Sequence, residues 1–121
     1  MNVHLRPATT NDVSALLELY RHLFSHDVPS PPVEQLTATW ELFVTNPAMT
    51  CLIAEVGSTP VGTCCLIIVP NLTRGGRPYA LVENVVVHSQ YQKMGVGRQM
   101  VTHAIAKARE ANCYKVMLLS G

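Results

Sequence analysis

A glycine-spaced turn between a β-branched run and an amphipathic helix constrains this 121-residue chain more than any other feature. The run is Val85-Val86-Val87, and Gly95 and Gly97 stand at the start of the helical pattern. Free N–H groups in the first turn of a helix, together with the positive end of its dipole, attract phosphate. Glycine has no Cβ, so a ligand can approach the backbone closely. The pattern predicts a phosphate-binding loop, although a glycine turn that only packs a helix tightly on a sheet has the same spacing.

Two common phosphate-binding fingerprints do not fit this turn. The dinucleotide pattern G-x-G-x-x-G requires a third glycine where the chain has Met100. The P-loop requires Gly-Lys-Ser/Thr after its four-residue spacer, and the chain has no such segment. What the chain has is Gln92 followed by Gly95 and Gly97, directly after a strand-like segment.

This Gln-x-x-Gly-x-Gly segment resembles the pyrophosphate-binding motif of the GCN5-related N-acetyltransferases. Residues 5–12, 83–88 and 113–119 resemble the first, fourth and fifth strands of that family with their flanks. The resemblance implies an acetyl-CoA-dependent N-acetyltransferase that transfers acetyl to a primary amine by direct attack. It also implies a set of residues around the cofactor, namely Val85, Val86, Val87, Gln92, Lys93, Met94, Gly95, Val96, Gly97 and Arg98.

Composition indicates one globular domain over residues 1–121. Hydrophobic residues make up 48% and charged residues 14% of the chain, which is typical of a sheet with a buried core. The formal net charge of +1 gives no electrostatic reason to expect nucleic acid or a membrane surface as a partner. No apolar run approaches the roughly 18 residues of a membrane span.

The four cysteines are spaced neither as a C-x-x-C pair nor as zinc ligands. They are Cys51, Cys64, Cys65 and Cys113, and three of them stand in strand-like apolar runs. We expect buried free thiols, no metal and a reducing cytoplasm.

The chain predicts an α/β fold with a mixed, mostly antiparallel sheet in the order β-α-α-β-β-β-α-β. The first helix is expected to start at an N-cap among residues 9–11 and to extend to Leu23. The second helix is expected to begin after Ser30, with proline in its first turn. The expected strands are 3–6, 50–56, 60–69, 79–88 and 114–119, the expected helices after the first are 31–45 and 95–111, and an exposed loop is expected over 70–78.

The resemblance implies a longer fold than this sequence supplies. The family continues with a further helix and two strands, which carry an Asn contact to the cofactor and a Tyr that protonates the leaving thiolate. Nothing in the 121 residues matches either group. We therefore expect an exposed edge at the last strand, which favours a homodimer or lower stability, and weak turnover.

Glu83 is the candidate general base. It is a carboxylate within an apolar strand-like run, which is costly unless the group is exposed or partnered. Some members of the resembled family use a glutamate here, directly or through water. An exposed residue at an open seam of the sheet would have the same sequence signature.

The oxyanion donor is expected to be a main-chain N–H. In the resembled family, a bulge in the fourth strand frees such an N–H, and the matching stretch is Val85-Val86-Val87. The valine side chains themselves are explained as sheet core.

The resemblance implies that the acceptor amine lies between the first two helices and the loop before the fourth strand. The candidates are Tyr20, Arg74, Arg77 and Tyr79. The two arginines flank a pair of glycines and could hold an anionic amine such as an amino-sugar phosphate, or could simply keep the loop soluble. Two other functions stay open: an acyl-CoA-binding module without turnover, and a nucleotide-binding α/β domain.

Overall fold

The computed structural model describes residues 2–22 and 31–118. A single five-stranded sheet has the spatial order β1-β2-β3-β4-β5, in which β1 to β4 are antiparallel neighbours and β5 is parallel to β4. Its strands are β1 (Val3–Pro7), β2 (Met49–Val56), β3 (Thr59–Val69), β4 (Tyr79–Val87) and β5 (Val116–Leu118). The helices are α1 (Val13–Tyr20), α2 (Val33–Val44) and α3 (Val96–Glu110). The predicted fold class and element order are confirmed.

The two faces of the sheet bury separate cores because side chains alternate along each strand. On one face α3 packs on β3 and β4, and its buried residues recur at helical spacing as Val96, Met100, Ala104 and Ala108. On the other face α1 and α2 cover a smaller cluster formed by Leu16, Trp40, Cys51, Ile53 and Cys65. All four cysteines are free and buried, as the sequence predicts.

The joint between β1 and α1 is held by a charged cluster. Arg6 donates to both carboxylate oxygens of Asp12, at 2.8 and 3.0 Å, and also contacts Glu55 on β2. The same Asp12 accepts the backbone N–H of Thr9, and the Thr9 hydroxyl accepts the N–H of Asn11. Thr9 is one of the caps predicted on residues 9–11, and the Asp12 carboxylate completes a capping box on a short 3₁₀ turn that leads into α1.

The last helix ends in a Schellman motif. Asn112 adopts a left-handed backbone with φ of 65°. Its N–H donates to Arg109 O, and the N–H of Cys113 donates to Ala108 O. These two bonds satisfy terminal carbonyls of α3 and turn the chain toward β5.

Several element ends differ from the prediction. The described helix α1 ends at Tyr20, and Leu23 and Ser30 lie outside the described residues. Pro32 occupies the N-cap position of α2 rather than its first turn, because its extended backbone (ψ of 146°) precedes the helix. The described part of β5 is also shorter than predicted, because only three of its residues pair with β4.

Candidate functional site

A cavity of about 370 Å³ opens where β4 ends and α3 begins. It lies against the predicted phosphate loop, with two cationic side chains on its wall. The lining residues are Val87, Tyr91, Gln92, Lys93, Gly95, Val96, Gly97 and Arg98.

The backbone of the loop is shaped to present N–H groups. Lys93 and Gly95 have φ values of 64° and 87°, and Met94 between them has no positive φ. Left-handed residues in a turn of this kind can help to form a concave array of N–H groups that suits an anion. Gly95 is also the N-cap residue of α3. Because glycine has no side chain, it cannot accept a hydrogen bond from the N–H groups in the first turn of α3.

Hydrogen bonds from β4 to the loop fix its position. The side-chain amide of Gln92 donates to Val87 O at 3.2 Å, and His88 N donates to Val61 O at 2.8 Å. The imidazole Nδ1 of His88 accepts the N–H of Gln90, which closes a short turn over Ser89–Tyr91. Gln92 therefore stabilises the loop by binding the end of β4. Its position in the motif did not predict this role.

Seven of the ten residues predicted around the cofactor surround this cavity. The other three lie elsewhere. Val86 is buried, Val85 is half-buried against the α3 core, and Met94 is 55% exposed outside the lining. Tyr91 lines the cavity and was not among the sequence candidates; the only sequence signal for it was an aromatic residue directly before the Gln-x-x-Gly motif.

The pairing of β3 with β4 is interrupted in the middle of β4. Thr63 pairs with Val86, whereas Cys65 pairs with Glu83, so Asn84 and Val85 together oppose a single residue of β3. Asn84 has a left-handed backbone with φ of 53°. A bulge of this kind leaves one residue outside the hydrogen-bond ladder. The bulge therefore begins at Asn84, one residue before the Val85-Val86-Val87 stretch that the family resemblance matched to it.

Glu83 lies half-buried on β4, immediately before this bulge. Its neighbour Asn84 reaches a second pocket, of about 170 Å³, which runs between α1 and α2. The floor of that pocket includes Cys65, and Tyr20 lies on its wall. The Tyr20 hydroxyl lies 3.8 Å from Cys65 Sγ, and burial raises the pKa of Tyr20, so the hydroxyl keeps its proton.

The second pocket is largely apolar. None of the described residues that line it is charged. Seven are aliphatic or aromatic, namely Val13, Leu16, Leu17, Tyr20, Leu36, Trp40 and Phe43, and the other three are Thr39, Cys65 and Asn84.

Arg74 and Tyr79 belong to a different region from Tyr20. The guanidinium of Arg74 lies 5.5 Å from the ring of Tyr114, and Lys115 Nζ lies 5.2 Å from the ring of Tyr79. Tyr79 opens β4, four residues before Glu83, which is about 13 Å along a strand. Within the described residues, the pocket lined by Tyr20 therefore does not include Arg74, Arg77 or Tyr79.

Arg77 is engaged with the backbone. Its Nε donates to Asn112 O and its terminal NH2 to Cys113 O, both at 3.1 Å. These bonds join the start of β4 to the turn after α3. Such a contact stabilises the fold, and it leaves fewer donors of this guanidinium for a ligand.

Residues 2–22 and 31–118 contain neither a metal-ligand cluster nor a membrane-spanning helix. No group of three or more His, Cys, Asp or Glu side chains there is arranged to hold a metal ion. Each helix in those ranges is too short or too polar to cross a lipid bilayer.

Comparison with known proteins places the chain in a family. Residues 13–120 match the model of the "Acetyltransferase (GNAT) family". A curated relative, glucosamine 6-phosphate N-acetyltransferase of Trypanosoma brucei brucei, is 30% identical over 98% of this chain and 80% of its own length. A predicted acetyltransferase from Agrobacterium tumefaciens strain C58 has a solved structure with a TM-score of 0.91, at 45% identity, covering 98% of this chain and 81% of that one.

A more distant solved structure has the same fold. This predicted acetyltransferase from Clostridium acetobutylicum, solved with acetyl-CoA, has a TM-score of 0.81 at 20% identity, covering 99% of this chain and 82% of that one. Members of the matched family use acetyl-CoA as the acetyl donor. The loop geometry, the interrupted fourth strand and the family match agree, and the chain belongs to the acetyltransferase (GNAT) family of acyltransferase enzymes.

Proposed function

We propose that the protein transfers an acetyl group from acetyl-CoA to a primary amine by direct attack. The observation that carries the proposal is the 370 Å³ cavity at the start of α3, which is lined by Gly95 and Gly97 together with Lys93 and Arg98. A doubly charged pyrophosphate fits such a place because N–H groups, a helix dipole and two cations all favour negative charge there. Lys93 and Arg98 add charge at its rim.

The reacting groups would meet beside the bulge of β4. Bound acetyl-CoA supplies the activated acetyl thioester. A main-chain N–H released at Asn84 or Val85 would donate to the thioester oxygen as negative charge develops on it. Glu83, one residue before the bulge, would take a proton from the acceptor ammonium, directly or through one water, so that the amine attacks as a neutral nucleophile.

The acceptor would approach from the pocket between α1 and α2, which reaches Asn84. The name of the trypanosomal relative makes glucosamine 6-phosphate one candidate acceptor. The described lining of this pocket is apolar, which favours an amine with an uncharged body instead. A panel with glucosamine 6-phosphate, glucosamine and phenethylamine, followed by release of the coenzyme A thiol, separates these acceptors.

Gly97→Val tests the cofactor site. A Cβ at Gly97 meets only Val87 Cγ2, at 3.6 Å, and the backbone there has no positive φ, so the change is compatible with the free fold. The added side chain would stand between the backbone and the phosphates. We expect acetyl-CoA affinity, measured by titration calorimetry, to fall at least about tenfold, which corresponds to about 1.4 kcal/mol.

The matched control is Ala106→Val, which adds the same side chain to an exposed position two turns further along α3. Its affinity should equal that of the wild type. Unchanged affinity in a folded Gly97→Val variant would place the cofactor elsewhere. A thermal-shift screen in which ATP or NAD stabilises the protein and coenzyme A does not would favour the nucleotide-binding alternative. Binding of acetyl-CoA without thiol release, for any amine, would favour the binding module.

A further inference from the structure

Two buried thiols face each other across the sheet on the side covered by α1 and α2. Cys51 of β2 and Cys65 of β3 are direct partners in the antiparallel register. Their sulfur atoms lie 4.0 Å apart, and the two residues are 5% and 2% exposed. Cys64, the sequence neighbour of Cys65, belongs to the core on the opposite face. The sheet therefore pairs Cys51 with Cys65 specifically.

A short chain of hydrogen bonds orients both thiols. The Thr63 hydroxyl donates to Leu52 O at 2.7 Å, so its oxygen is left to accept from the Cys51 thiol at 3.3 Å. The Cys65 thiol donates to Cys51 Sγ, and the Tyr20 hydroxyl is within reach of Cys65 Sγ. Each sulfur thus already points toward the other.

The same contacts make Cys65 the first nucleophile of the pair. When Cys65 loses its proton, the Cys51 thiol and then the Tyr20 hydroxyl can donate to the sulfur, which lowers the pKa of Cys65 against the cost of burial. The bond with Cys65 raises the pKa of Cys51. Cys65 also lines the 170 Å³ pocket between α1 and α2, so a small reagent can reach it.

We propose that Cys51 and Cys65 form an oxidisable dithiol, which a peroxide closes to an intrachain disulfide and a thiol reductant reopens. The proposal does not depend on the proposed acetyl transfer. The dithiol lies under the pocket proposed for the acceptor, which Cys65 lines, and away from the loop at the start of α3.

The chemistry balances with hydrogen peroxide as the two-electron oxidant. The Cys65 thiolate attacks one peroxide oxygen and becomes a sulfenic acid, and the leaving hydroxide takes the released thiol proton to form water. The Cys51 sulfur then attacks the sulfenic sulfur, and the displaced hydroxide leaves as water with the Cys51 proton. In sum, two thiols and one peroxide give one disulfide and two waters.

The bond needs a local inward movement of the two residues. The sulfur atoms must close from 4.0 Å to about 2.05 Å, and the Cβ atoms, which lie about 4.5–5.5 Å apart in directly opposed residues of antiparallel strands, must approach to about 3.5–4.5 Å. Loss of the two thiol protons leaves no buried donor without a partner on this side, because the Thr63 hydroxyl already donates to Leu52 O. Cys64 has no such facing partner, because it points to the other core.

The experiment oxidises the folded full chain with hydrogen peroxide and maps the product with a protease that cuts after glutamate. Cleavage after Glu41, Glu55 and Glu83 puts Cys51 in peptide 42–55, and puts Cys64 and Cys65 in peptide 56–83. We expect a monomer lighter by two hydrogen atoms, two titratable thiols instead of four, and a disulfide that joins these two peptides. Dithiothreitol should restore all four thiols.

Matched variants identify the partners. Cys64→Ala should still lose two thiols and show the linked peptides, whereas Cys51→Ala and Cys65→Ala should show no linkage. Circular dichroism checks that each variant is folded, and the peptide map of the wild type stands even if one of them is not. Four reactive thiols after oxidation of folded wild type, a linkage that persists in Cys51→Ala, or linkage only between different chains would each overturn the proposal.

Discussion

Gly95 and Gly97 stand two residues apart and are glycine for different physical reasons. Gly95 has φ of 87°, a conformation that costs an L-residue about 1–2 kcal/mol, so the turn itself requires it. Gly97 has an ordinary helical backbone, and a Cβ there would make one ordinary contact, with Val87 Cγ2 at 3.6 Å. The fold therefore does not require glycine at this position, and replacement of Gly97 tests the proposed ligand binding without disturbing the turn.

The backbone conformations of Lys93 and Asn84 could not be predicted from the sequence. Both residues have left-handed backbones, and neither is a glycine, the residue type that usually indicates this conformation. The motif predicted the loop because glycine spacing is visible in sequence. The exact position of the bulge was not visible, because it depends on how β3 and β4 align.

Glu83→Gln tests whether the carboxylate of Glu83 is the general base, because it replaces one carboxylate oxygen with an amide nitrogen. The change keeps the shape of the side chain and removes its basicity. We expect kcat at pH 7 to fall by roughly 10²–10⁴ while the Kd of acetyl-CoA stays the same. The loss should shrink as the pH approaches the pKa of the acceptor amine, because the amine is then neutral without help.

The control is Glu110→Gln at the exposed end of α3, which should retain the wild-type rate. A Glu83→Gln enzyme with full kcat at pH 7 would assign proton removal to solvent or to another group.

At the scale of elements, the joint between β1 and α1 depends on ionised carboxylates. The guanidinium of Arg6, with smaller help from the Thr9 N–H and hydroxyl, lowers the pKa of Asp12 from its ordinary 3.8 to about 2. A carboxyl group whose pKa is lowered by folding stabilises the fold above its unfolded pKa and loses that effect as the pH falls. The joint should therefore weaken between about pH 4 and pH 2.

Asp12→Asn isolates this effect. We expect the variant to be less stable than the wild type at pH 5, and the gap between their urea midpoints to narrow as the pH falls toward 2.5. Glu41→Gln, an exposed change on α2, should show no such dependence. A gap of equal size at both pH values would mean that Asp12 acts through its shape rather than its charge.

Elements with strong periodicity were predicted nearly to the residue, and the contacts between them were not. The four buried residues of α3 repeat at helical spacing, and β3 is apolar apart from Gly62 and Thr63 between Val61 and Val69, so both were visible. Two contacts depend on strand register and chain folding, namely the pairing of Cys51 with Cys65 and the hydrogen bonds from Arg77 to the turn after α3. Strand register and chain folding are set by packing across the whole domain.

At the scale of the whole molecule, α3 packs closely on the sheet at Gly62. A Cβ there would lie 3.1 Å from Met100 Cε, 3.2 Å from Val86 O and 3.2 Å from Val96 Cγ1. Met100 can move aside, but a backbone oxygen and the first residue of α3 cannot do so easily. The position of the helix that forms the cavity is thus set partly by the absence of one side chain.

Gly62→Ala should separate the helix from the sheet. We expect a loss of about 1–3 kcal/mol in the free energy of unfolding, the usual cost of overpacking a core, measured by urea denaturation. Gly97→Ala, whose Cβ makes an ordinary contact, should be close to wild type in the same assay. Equal stability of the two variants would show that α3 can shift without cost.

The spatial order of the strands equals their order along the chain. Strands β2, β3 and β4 follow one another through short connections, so their contacts are local and fast to form. The two outer pairings are not local, because β1 meets β2 only across α1 and α2, and β5 reaches its parallel partner β4 only after α3 has crossed over. The glycine-spaced loop before α3 lies inside the second of these crossovers. During synthesis it should therefore mature after the β2–β4 meander, and a nascent chain should fold that meander before it acquires affinity for acetyl-CoA.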